Sequence, residues 1–181
     1  MRSPFEPSGN MANSASTDEH RADAPKSVAC AVLTISDTRT REDDRSGQLI
    51  RQHLDWRGHT ITAYEIVPDD GSRITEVLER WIADDNIQAI VTNGGTGIAG
   101  RDVTYDAITG VLEKRLDGFG EIFRMLSFAE IGAAAMLSRA VAGVSNNTAI
   151  FATPGSSNAV RLAMEKLIGP ELAHVVHEIA K

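Results

Sequence analysis

Residues 28–36 read Val-Ala-Cys-Ala-Val-Leu-Thr-Ile-Ser, nine positions with scarcely a polar side chain. A half-buried strand alternates apolar and polar residues. A near-continuous apolar run fits a strand covered on both faces, and such strands belong mainly to parallel sheets flanked by helices. The rest of the chain agrees with that constraint. Asp37 to Arg45 is a polar loop, and a helix is predicted from about Ser46 to Gly58, a natural C′ residue. Thr60 to Val67 reads as a second strand, stopped by Pro68. Ile74, Val77, Leu78, Trp81 and Ile82 recur at the spacing of one helical face. Ile87 to Thr92 is a third strand, running into Asn93-Gly-Gly-Thr-Gly97, and a helix is expected from about Val103 with Asp102 as its N-cap. Gly118 to Arg139 reads as two helical pieces, whose stretch Gly132-Ala-Ala-Ala135 would allow close helix packing, within the chain or against a partner. Thr148 to Thr153 is a further buried strand, and Pro154-Gly-Ser-Ser-Asn158 opens a final helix interrupted at Gly169-Pro170. The succession β-α-β-α-β-α predicts a three-layer, doubly wound α/β fold with a mostly parallel sheet flanked by helices.

Composition sets the outer limits. The 181 residues suit one domain. Residues 1–25 hold no Val, Ile or Leu but three of the six prolines, and are expected to be a disordered tail ahead of a domain spanning 26–181. The single cysteine, Cys30, excludes a disulfide within the chain and reads as a small core residue. There is no apolar stretch of the roughly 20 residues a membrane span needs, and no signal-peptide layout. A cytoplasmic protein without a membrane partner is the expectation. The formal charge of −7 argues against a nucleic-acid partner, which needs a basic surface, yet leaves room for one small anionic ligand. His174 and His177 read as part of a solvated helix face.

In an open α/β sheet, ligands bind beyond the carboxyl ends of the strands. The loops there are Ser36-Asp37, Pro68-Asp69-Asp70, Asn93 to Asp102 and Pro154 to Asn158. All carry small, polar or acidic residues. Gly95-Thr-Gly-Ile-Ala-Gly100 matches G-x-G-x-x-G literally, but it follows the third strand rather than the first, which counts against a nicotinamide-dinucleotide site. A Walker A motif fails because Arg101-Asp102 stands where Lys-Ser/Thr is required. The physics common to both remains: with four glycines between Gly94 and Gly100, backbone N–H groups can cradle an oxyanion. Pro154-Gly155-Ser156-Ser157 either holds a second anion at a helix N-terminus or supplies a plain serine N-cap. Asp69 and Asp102 either bridge a cation beside phosphates or merely begin helices; Mg²⁺ typically takes one or two carboxylates plus phosphate oxygens.

These residues carry a family resemblance. Thr34-Ile-Ser-Asp37, Asp44-Arg-Ser-Gly47, Thr92-Asn-Gly-Gly-Thr-Gly97 and Pro154-Gly-Ser156 fall in order at the spacing of the MoaB/MogA family of molybdenum cofactor biosynthesis proteins. Gly118-Phe-Gly-Glu-Ile-Phe-Arg-Met-Leu-Ser127 and Ser138-Arg-Ala-Val-Ala-Gly143 resemble the MoaB branch most. The likeness spans about residues 28–179. It implies a molybdopterin-binding α/β fold and an Mg²⁺-dependent adenylyl transfer from ATP to molybdopterin, releasing pyrophosphate. It implies Asp69 and Asp102 as the catalytic, metal-holding pair, with Ser36, Asp37, Gly94, Gly95, Thr96, Gly97, Ser127, Pro154, Gly155 and Ser156 lining the ligand site. It implies a homo-oligomer, a hexamer ahead of a trimer, and a molybdenum-insertion protein as partner. Some MoaB members lack the two acids and are inactive; this chain has both. The alternative is a non-catalytic molybdopterin-binding scaffold. Two positions depart from the pattern: Tyr105 stands where many relatives have proline, and Asn93 precedes the glycine pair.

Overall fold

The computed structural model describes residues 24–99 and 103–181. In chain order the elements are β1 (Ala29–Ile35), α1 (Arg45–Trp56), β2 (Thr60–Val67), α2 (Gly71–Ile82), β3 (Ala89–Asn93), α3 (Thr104–Val111), β4 (Lys114–Arg115), α4 (Asp117–Ile131), a 3₁₀ stretch (Gly132–Leu137), β5 (Val141–Ser145), β6 (Thr148–Thr153), α5 (Ser157–Ala163), a π turn (Met164–Ile168) and α6 (Gly169–Ile179). The six strands form one sheet in the order β2-β1-β3-β6-β5-β4. β1, β2, β3 and β6 are parallel; β5 is antiparallel to β6, and β4 to β5. The sheet is therefore mixed and mostly parallel, as expected.

β1 shows why its sequence is apolar throughout. Cys30 and Val32 face a core shared with Ile50 and Leu54 of α1, Phe123 of α4, Val160 of α5 and Leu172 of α6. Ala31, Leu33 and Ile35 face a second core with Ile74, Leu78 and Trp81 of α2 and Ile108 of α3. Alternate side chains point to opposite faces, and helices cover both, giving three layers. Each fully buried Leu, Ile or Phe contributes about 1.5–3 kcal/mol. The chain leaves β1 for β2 on one side, then crosses to β3 on the other. This reversal opens a crevice at the carboxyl ends of β1 and β3.

Three elements differ from expectation, the first being the short edge strand β4, which the sequence reading did not include. The segment Val141–Ser145 is a strand, hairpinned to β6 through Asn146 and Asn147, whose φ angles of 41° and 65° suit a two-residue turn. The final helix is not interrupted at Gly169-Pro170. Proline lacks an N–H and its ring crowds the preceding turn, and the helix absorbs both by widening into the π turn just upstream. The expected tail falls almost wholly outside the described residues. Among the described residues, no helix is long and apolar enough to cross a membrane.

Candidate functional site

β3 delivers its chain end into a left-handed backbone. Gly94 has φ +102°, is buried, and donates its N–H to the Thr153 carbonyl at 3.1 Å. A Cβ at Gly94 would collide with the Ile35 carbonyl oxygen. Gly95 follows at φ +59°, and a Cβ there would strike the Thr104 hydroxyl and lie 3.1 Å from Asp69 Oδ2. Only glycine meets both demands. Gly155, from the loop after β6, packs its backbone directly against Gly94. The two glycine-bearing loops thus meet at the end of the sheet.

A buried carboxylate holds this junction from behind. Asp44, 2% exposed, caps α1 by accepting from Gly47 N at 2.9 Å. It also accepts from Thr34 Oγ1 at 2.5 Å and from the Tyr64 hydroxyl at 2.7 Å, and pairs with Arg39 at 3.3 Å. Asn93 extends the network by donating Nδ2 to Thr34 Oγ1 at 2.8 Å. Burial opposes the ionisation of Asp44, but the hydrogen bonds from Thr34, Gly47 and Tyr64 and the charge of Arg39 outweigh it and hold its pKa below the usual value. Burial and the same carboxylate push the Tyr64 phenol up to about 12. Arg39 Nη2 and Ser46 Oγ both donate to the Gly155 carbonyl, at 3.1 and 2.9 Å, so the network reaches the second glycine loop.

The acidic residues after β2 separate into two roles. Asp70 caps α2, accepting from Ser72 N and Arg73 N, and the Ser72 hydroxyl and these amides lower its pKa. Asp69 is free of that duty. Its Oδ1 accepts from Thr104 Oγ1 at 2.8 Å, and its backbone N–H donates to Asp37 Oδ1 at 3.0 Å. Among the described residues nothing hydrogen-bonds Asp69 Oδ2, which lies on the Gly95 side. Hard carboxylate oxygens of this kind suit Mg²⁺. Among the described residues no three His, Cys, Asp or Glu side chains converge into a complete metal site. Asp102, expected as the second acid and as an N-cap, lies outside the described residues. α3 begins at Thr104, with Val103 in the cap position and no side-chain cap.

In front of the loops lies a cleft of about 370 Å³, within the range of small-molecule sites. One wall is Gly94, Gly95, Thr96 and Gly97 with Pro154, Gly155 and Ser156; the other is built from α4 and the 3₁₀ stretch, including Phe123, Ser127, Ile131, Ala134, Ala135 and Leu137. Ser156 also caps α5, accepting from Ala159 N at 3.2 Å. Of the expected site residues, the glycine loop, Ser127 and the Pro154–Ser156 turn line this cleft together. Asp37 and Asp69 stand on the neighbouring loops, and the Ser36 hydroxyl is turned into its own loop, accepting from Thr38 N and Arg39 N. The stretch at Gly132 forms 3₁₀ structure that walls the cleft rather than a helix-packing seam within the chain. Thr104, Phe123, Ser138 and Arg139 were not legible as site residues. Ser138 lines the cleft, and among the described residues nothing hydrogen-bonds its buried hydroxyl.

Comparison with known proteins agrees with this fold. The family model described as "Probable molybdopterin binding domain" matches residues 31–174. Molybdenum cofactor biosynthesis protein B of Bacillus subtilis (strain 168) is 56% identical over 167 residues, covering 92% of this chain and 98% of the relative. A crystal structure of a molybdenum cofactor biosynthesis protein B superposes with a TM-score of 0.84 at 51% identity, covering 87% of this chain and 98% of that one. The tungsten cofactor synthesizing protein MoaB from Pyrococcus furiosus superposes with a TM-score of 0.79 at 36% identity, covering 87% and 100%.

Proposed function

Because the chain belongs to the molybdopterin-binding MoaB family of molybdenum cofactor biosynthesis proteins, we propose that it is a nucleotidyltransferase that moves the adenylyl group of ATP onto molybdopterin. An oxygen of the terminal phosphate of molybdopterin forms a bond to the α-phosphorus of ATP. The bond from that phosphorus to the bridging oxygen of the β-phosphate breaks, and pyrophosphate leaves. The attacking phosphate is already anionic, so the site needs no general base.

The meeting of two glycine-bearing loops around one cleft, with a carboxylate at its edge, carries this reading. Backbone N–H groups of Gly95 to Gly97 and of the turn at Gly155-Ser156 hold anionic groups without spending cationic side chains, which suits a chain of net charge −7. Phe123, Ala134, Ala135 and Leu137 offer the apolar wall that a planar ring system needs. Asp69, oriented by Thr104, and Asp102 would hold Mg²⁺, which offsets charge on the phosphates when bound. Positioning and fixed dipoles supply most of the rate. Ile122, Met125 and Phe128 are exposed on one side of α4, and Met136 is exposed on the 3₁₀ stretch, which supports assembly with further copies of the chain, as a hexamer ahead of a trimer. A molybdenum-insertion protein would take the adenylated product.

The test is pyrophosphate release from purified protein given Mg²⁺-ATP and molybdopterin. Stoichiometric release dependent on both substrates is expected. Pterin binding without pyrophosphate would replace the enzyme with a scaffold.

A further inference from the structure

Arg139 sits between the 3₁₀ stretch and β5 and does not line the cleft, yet it grips the glycine loop. Its Nε donates to the Thr96 carbonyl at 3.3 Å, and its Nη2 donates to the Gly97 carbonyl. Its guanidinium carbon lies 4.9 Å from the centre of the Tyr105 ring, in cation–π contact. The Tyr105 hydroxyl in turn accepts from Arg115 at 3.4 Å. Tyr105 is the second residue of α3, next to Thr104, which orients Asp69. Two consecutive residues at one helix start thus support the carboxylate and the loop.

We propose that Arg139 is a positioning residue for the anion-holding loop, and that the Tyr105 ring keeps its guanidinium in place. The inference rests on the adenylyl-transfer reading and deepens it. In a trans peptide the C=O and N–H point in opposite directions. Fixing the Thr96 and Gly97 carbonyls on the guanidinium therefore turns the N–H groups of Gly97 and Ile98 away from it, as a pair. Two successive amides aimed the same way form an anion-binding concavity. Hydrogen bonding at the carbonyl end also polarises each peptide group and strengthens its N–H as a donor. The planar fork matters as much as the charge, because one rigid group must reach two adjacent carbonyls; an ammonium has no such geometry.

The experiment measures KM for ATP and for molybdopterin, kcat and the melting temperature for R139Q, R139K, Y105A and Y105F in the full chain. R139Q and R139K are expected to raise KM for one of the two anionic substrates at least tenfold, leaving the other KM within twofold and the melting temperature within a few degrees. Y105A is expected to shift the same KM in the same direction, with Y105F, which keeps the ring face, restoring most of the loss. Both KM values at the wild-type level, or a fall in melting temperature alone, would overturn the positioning role. Wild-type behaviour of R139K would overturn the fork geometry. If the unaltered chain transfers no adenylyl group, the reaction reading fails by itself. Equilibrium binding of Mg²⁺-ATP and of molybdopterin to the same variants then decides on Arg139: tenfold weaker binding of one upholds it, and unchanged binding of both overturns it.

Discussion

Thr104 Oγ1 donates to Asp69 Oδ1 at 2.8 Å, tying the first residue of α3 to the loop after β2 across 35 positions of sequence. The bond fixes one carboxylate oxygen and leaves the other facing the glycine loop. Thr104→Val keeps the shape of the side chain and removes the donor. Adenylyl transfer is expected to fall roughly ten- to hundredfold, the worth of one charge-assisted hydrogen bond. Thr104→Ser should retain most of it. Initial rates of pyrophosphate release check this, and equal rates for the valine variant would remove Thr104 from the mechanism.

Asp69→Asn and Asp102→Asn preserve size and remove a charge each. Both are expected to fold normally by circular dichroism and to lose adenylyl transfer by two or more orders of magnitude, since a phosphoryl-group reaction depends on cation-assisted charge stabilisation. Full activity in either variant would exclude that residue from holding Mg²⁺.

Asp44 gives a pH prediction. Its folded pKa is depressed: burial alone would raise it, but Thr34, Gly47, Tyr64 and Arg39 together lower it further. A depressed carboxylate contributes stability that is fully present above the unfolded pKa, near 3.9 for aspartate, and is lost as pH falls through the folded value. Denaturant melts at stepped pH should therefore show a loss below about pH 4 that Asp44→Asn lacks. At pH 7 the asparagine variant should be destabilised by roughly 2–4 kcal/mol, because Arg39 and several buried donors lose their anionic partner.

The Cys30 thiol is fully buried, and burial pushes its pKa up to about 12. An alkylating reagent should leave the native protein unmodified at pH 8 and label it only in denaturant. Rapid labelling of the folded chain, read by mass spectrometry, would contradict the packing of β1.

Met125 and Phe128 are more than half exposed on α4. A Met125→Glu, Phe128→Glu pair should lower the mass seen by light scattering if copies assemble through this face, while leaving the monomer's circular dichroism unchanged. An unaltered mass would place the interface elsewhere.

Much of the architecture was readable because burial on both faces leaves a plain mark. The run from Val28 and the periodic positions from Ile74 to Ile82 correspond to β1 and α2, and Thr60–Val67 and Thr148–Thr153 match β2 and β6 residue for residue. β5 escaped because Val141–Ser145 is short and follows helical sequence, although Asn146-Asn147 is a hairpin signal. The glycine loop was legible from composition, since the left-handed backbone at Gly94 and Gly95 demands glycine, and the Pro154–Ser156 turn from its small residues ahead of a helix. The residues that orient them were not. Asp44 sits in a polar loop and Arg139 beside a small-residue stretch; Asp44 acts through Tyr64 and through Arg39, which reaches Gly155, and Arg139 through Gly97, far along the chain. No local pattern encodes such a meeting.

The close packing of Gly155 on Gly94 has a metrical consequence. With the backbones touching, and Asp44, Arg39 and Ser46 bracing them from behind, neither loop can shift without dragging the other. The pair works as a caliper locked at one opening. Two anionic groups held there, as proposed, would sit at a set separation, so the cleft would gauge the distance between charges on its ligands as well as their shape.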